Sequence, residues 1–170
     1  MNPTGRNITA SKEWKGQKAP WIGTKNVWNL FYEIGAIDTE IYEEIRNKKG
    51  KDWTVEFADE VYNNVEKHKV YITNLAKCTQ SDARALKDEV FLEYLDLFFK
   101  EINIVKPKKI VLFGNQVSSI VLNQKISVST VRKQEFNYKG FLFYSVYYPV
   151  GNGFFNIDKA IEDIKYIMSK

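Results

Sequence analysis

Cysteine and histidine are almost missing from this 170-residue chain, which carries one of each, Cys78 and His68. A lone cysteine excludes an internal disulfide and any multi-cysteine metal or iron–sulfur site. The lone histidine sits in the charged run Glu66-Lys67-His68-Lys69 and reads as solvated surface. That argues against Ser-His-Asp and Cys-His nucleophile schemes. No apolar run approaches the ~18 residues that a bilayer span needs, and no signal peptide is visible. A cytoplasmic protein with no membrane partner is expected. Phosphate-cradling loops of the Gly-x-x-x-x-Gly-Lys type are absent, as is Gly-x-Gly-x-x-Gly after a strand. Strong charge of one sign is lacking too: the net charge is +4, compatible with a polyanionic partner without demanding one.

What is present is an ordinary globular composition, 44% hydrophobic and 27% charged, in a length that suits one domain over residues 1–170. A monomer is expected, since one chain of this size covers its own core. Aromatics reach 15%; composition alone assigns them to the core before it assigns them to base stacking.

The pattern along the chain is that of an α/β protein. Thr24 is a plausible N-cap for a helix with Val27, Trp28, Phe31 and Ile34 on one face and Gly35 as its stop. Asp38–Asn47 and Trp53–Val65 read as further helices. Val70-Tyr71-Ile72-Thr73 is short and β-branched, hence a strand. A long amphipathic helix is predicted from about Lys87 to Ile104, ended by Lys106-Pro107-Lys108. The apolar run 109–113 then closes on Gly114-Asn115, with a helix over Val117–Leu122, a unit typical of parallel sheets. A loose hairpin arm over Ile126–Tyr138, a last strand over Phe141–Tyr147 and a closing helix over Ile157–Met168 complete the chain. The expected architecture is a three-layer α/β/α domain around a mostly parallel four-stranded sheet, its first strand short or missing because nothing precedes Met1. Ligands bind beyond the carboxyl ends of such strands. The segments beginning at Asn74, Gly114 and Tyr148 are therefore expected to converge on one crevice.

Five segments in order carry a resemblance. Met1-Asn2-Pro3-Thr4-Gly5 resembles the Gly-Met-Asn-Pro-Gly motif of the single-strand-selective and mismatch-specific branches of the uracil-DNA glycosylase superfamily. Ala19-Pro20-Trp21-Ile22-Gly23 is similar to the segment that supplies a stacking aromatic in the thermostable branch. Val70 to Cys78 resembles that branch's strand, whose asparagine reads the uracil edge. Lys106 to Asn115 matches its Lys-Pro, apolar strand, Gly signature, and Tyr147 to Gly153 occupies the place of the His-Pro-Ser loop. Each is weak alone; their order over nearly the whole chain is the signal.

The resemblance implies a monofunctional glycosylase that flips a deaminated base, uracil foremost, out of DNA and hydrolyses its glycosidic bond. Trp21 would stack on the base, and the Asn74 amide offers a donor and an acceptor to the uracil edge. Asn2 would position the attacking water. Tyr148 stands where many members carry a histidine that stabilises charge on the leaving base. Gly114 and Asn115, together with Pro149, Gly151, Asn152 and Phe154, would contact DNA. The thermostable branch holds a four-cysteine cluster of which Cys78 matches one ligand, so no cofactor and no metal are expected. An inactive relative that binds nucleic acid or a nucleobase is the second reading, and a flavodoxin-like nucleotide-binding module the third.

Overall fold

The structure is a computed structural model that describes residues 21–77 and 86–170. Asn2 with its motif, and Cys78, lie outside the described residues. The chain divides into two compact units, Met1–Ala85 and Leu86–Lys170.

The first unit is helical. Helix α1 (Lys25–Glu33) buries Val27, Trp28, Leu30 and Phe31, the stripe its spacing predicts. It ends as a Schellman motif: Gly35 at φ 71 donates to Tyr32, and Ala36 donates to Phe31 at 2.8 Å. Helices α2 (Thr39–Asn47) and α3 (Val55–Lys67) follow within a residue or two of their expected bounds. The Thr54 hydroxyl caps α3 by accepting from Phe57 N–H at 3.2 Å. Trp28 is the centre of the core. Its ring is 6.0 Å from Trp53, 5.6 Å from Phe31 and 5.7 Å from the edge-on Tyr62.

The expected strand Val70–Thr73 forms no ladder among the described residues. Its β-branched residues supply propensity, but a strand exists only where a partner's backbone groups pair with it.

The second unit holds the sheet. The long helix predicted from Lys87 is two, α4 (Asp88–Glu93) and α5 (Leu95–Val105), broken at Tyr94. Lys106 closes α5 in the left-handed region, and Pro107 prevents its continuation. Strand β1 (Ile110–Phe113) leads through Gly114 into α6 (Asn115–Leu122). Strands β2 (Phe136–Tyr138) and β3 (Phe141–Val146) form a hairpin, and α7 (Ile157–Ser169) closes the chain.

Strand order is β1-β3-β2, with β1 parallel to β3 and β2 antiparallel to it. The α/β class is as expected. The sheet has three strands among the described residues rather than four: the Val70 segment forms no ladder with them, and β2 comes from the arm.

A guanidinium clamp fastens that arm to α7. Arg132 Nε lies 3.1 and 2.9 Å from the two carboxylate oxygens of Asp163, and its Nη2 donates to Asp163 at 2.9 Å and Glu162 at 2.7 Å. Asp163 is fully buried. Nearby, Tyr144 donates to Glu135 at 2.8 Å, and burial with that carboxylate pushes its phenol up to about 12.

Candidate active site

Of the residues singled out from sequence, Trp21 and Asn74 belong to the first unit. Trp21 heads the turn into α1 at φ 63, and its carbonyl accepts from Thr24 N–H at 2.9 Å and Trp28 Nε1 at 3.1 Å. Its indole is 2% exposed and lies 6.0 Å from Phe31. Asn74 follows the Val70 segment. Its Oδ1 is buried and has no hydrogen-bond partner, one of four such described side-chain atoms with Trp53 Nε1, Ser118 Oγ and Ser145 Oγ. Leaving a buried acceptor unpaired costs about 1–3 kcal/mol. Such an atom is usually explained by a strained or functional environment.

Gly114, Asn115, Tyr148, Pro149, Gly151, Asn152 and Phe154 belong to the second unit, and there Gly114 and Tyr148 are brought together. Gly114 N–H donates to Val146 at 2.8 Å, carrying the β1–β3 ladder one residue past the strand. Gly114 has φ 87, and a Cβ on it would lie 3.4 Å from Tyr148 Cβ. A larger residue would meet both strain and the tyrosine. The Tyr148 ring meets the Phe113 ring edge-on at 6.5 Å. On its other side, a Cβ on Gly153 would run into the Tyr148 backbone carbonyl. What fixes glycine at 153 is therefore the chain's own backbone.

The first turn of α6 is heavily used. Asn115 Oδ1 accepts from Val128 N–H at 2.9 Å, which fastens the 3₁₀ turn Val128–Thr130. Gln116 donates from Nε2 to Leu86 O at 2.9 Å and to Asp88 at 2.7 Å. Both partners are distant in sequence, so no local pattern signals them. Pro149 is buried, while Phe154 and Phe155 stand out of the 3₁₀ turn Gly151–Asn156 at 46% and 87% exposure.

His68 is exposed, as its charged neighbours suggest, yet it is paired. Its Nε2 lies 2.8 Å from Asp38 Oδ1, and Asn64 Nδ2 donates to Asp38 Oδ2 at 2.6 Å. The Asn64 amide, then the His68 ring, hold the Asp38 carboxyl below its ordinary value. A depressed carboxyl contributes stability above its unfolded pKa and loses it as pH falls through the folded one. The wild-type thermal midpoint should therefore fall more steeply than that of Asp38→Asn once pH drops below the ordinary 3.8. Parallel midpoint curves for the two proteins between pH 5 and 2, the interval over which paired carboxylates titrate (~5 to ~1), would deny that contribution.

Among the described residues, no cluster of three or more His, Cys, Asp or Glu side chains is arranged to hold a metal ion. No helix there is long and apolar enough to cross a membrane. The family model described as the uracil DNA glycosylase superfamily matches residues 7–157, and the chain belongs to that superfamily. Its members are hydrolytic glycosylases that act on DNA, which makes DNA the partner class of this chain. The matched span starts after Asn2 and ends at the first residue of α7. No solved structure matches the chain significantly.

Proposed function

We propose that this chain is a monofunctional DNA glycosylase that flips a deaminated base, uracil first, and hydrolyses its glycosidic bond with water. In this reading the whole chain acts as one domain, as a cytoplasmic monomer without metal or organic cofactor. The Asn74 amide holds the base edge, and Trp21 gives the stacking face. Asn2 positions the water, and the Tyr148 hydroxyl donates to the base oxygen as negative charge develops there. The observation that supports the reading beyond family membership is the buried Asn74 oxygen, an acceptor with no hydrogen-bond partner among the described residues. The imide N3–H of uracil is a donor of the kind it lacks.

The test is alkali-revealed strand cleavage of an oligonucleotide with a single uracil, as a single strand and paired with guanine. Wild-type protein should cleave, and Asn74→Ala should lower the rate roughly 10- to 100-fold, the loss expected for one hydrogen-bonding partner of the base. Asn2→Ala should be impaired as well. The second reading is a relative that binds without turnover. A folded, DNA-binding wild type that leaves uracil untouched selects that reading.

A further inference from the structure

Phe113 is the one aromatic in the otherwise aliphatic strand β1, Ile110-Val111-Leu112-Phe113. Leu112 is buried whereas Phe113 is half-buried, so filling the core does not by itself call for a ring at 113. The ladder decides what that ring faces. Phe113 pairs with Val146, and alternation along an extended chain carries Val146 and Tyr148 to the same face. The Phe113 and Tyr148 ring centroids are 6.5 Å apart with their planes at 62°, inside the edge-to-face range that aromatic pairs favour. Glycines hem in the tyrosine backbone: a Cβ on Gly114 would lie 3.4 Å from Tyr148 Cβ, and one on Gly153 would run into the Tyr148 carbonyl. With the backbone so placed, the direction of the phenol is set by side-chain torsions, and an edge-on neighbour restricts those.

We infer that Phe113 is a positioning residue for base excision: its ring holds the Tyr148 side chain in the rotamer that aims the phenol at the leaving base. The inference rests on the reading of Tyr148 as the donor to that base. A donor stabilises developing charge without reorganisation only when it is already aimed, and a positioned group that strays costs rate before it costs affinity. Leucine at 113 would keep the apolar bulk but offer no ring to the tyrosine.

Two measurements test it. Three-bond NMR couplings that report χ1 of Tyr148 should show a single staggered rotamer in the wild type and in Phe113→Tyr, and an average over rotamers in Phe113→Leu. Single-turnover excision from a uracil-containing strand should be about 2- to 10-fold slower in Phe113→Leu, the worth of one aromatic pair, with DNA affinity unchanged and the rate restored in Phe113→Tyr. In the Tyr148→Phe background, which has no phenol to aim, Phe113→Leu should slow excision no further. Tyr148 couplings indifferent to the leucine, or a leucine effect that persists in full without the phenol, would overturn the inference. Rotamer averaging in the leucine variant of a protein that excises nothing sinks the glycosylase reading and leaves the restraint of Tyr148 by Phe113 standing. Excision by the wild type, with Tyr148 indifferent to residue 113, does the reverse.

Discussion

Tyr148→Phe should lower kcat for base release by about 100- to 1000-fold, the usual loss when one donor to a developing oxyanion is removed, with little change in DNA affinity. The prediction is sharp because the substitution removes only the hydroxyl. The Tyr148 ring meets the Phe113 ring edge-on, and phenylalanine keeps that contact. A histidine there would restore the donor that many members of the superfamily carry, so Tyr148→His should stay active. Single-turnover measurements separate chemistry from binding. If the phenylalanine variant keeps its full single-turnover rate, the phenol is not the donor.

The second large effect is on stability. Arg132→Ala should cost about 3–5 kcal/mol, because it strands a carboxylate inside the protein. Asp163 has no exposed surface, and the guanidinium is the partner of both its oxygens. Asp163→Ala should cost less, since the arginine it leaves behind is 27% exposed and keeps Glu162 at 2.7 Å. Replacing both partners by apolar residues of similar volume should recover much of the loss. Urea denaturation of the three variants checks the order; equal losses for the two single variants would show that the buried charge is not what sets the cost.

Much of the helical framework was legible because its signals are local. Thr24, the Val27/Trp28/Phe31 stripe and Gly35 mark a helix start, face and end, and α1 follows them. The run before Gly114 likewise marked strand and turn. What the local signals missed was of two kinds, pairing with a partner remote in sequence and a break inside a periodic run. Val70–Thr73 has the residues of a strand but no ladder among the described residues. Tyr94 breaks a helix whose apolar periodicity continues through it. Arg132 and Asp163 are 31 residues apart, and nothing in either neighbourhood announces the other. The two candidate residues with the clearest geometry, Asn74 and Tyr148, were reached through resemblance. Neither side chain is conspicuous by type or spacing.

The contact between Gly153 and the Tyr148 carbonyl bears on how this loop could be reshaped. Any substitution at position 153 adds a side-chain atom where Tyr148's backbone already lies, so variation there should be purged along with activity. Phe154 and Phe155, pointing outward immediately afterwards, carry no such restriction. A library directed at altered DNA preference is therefore best spread over 154 and 155 with glycine kept at 153. Natural divergence of this loop should leave glycine in place at 153.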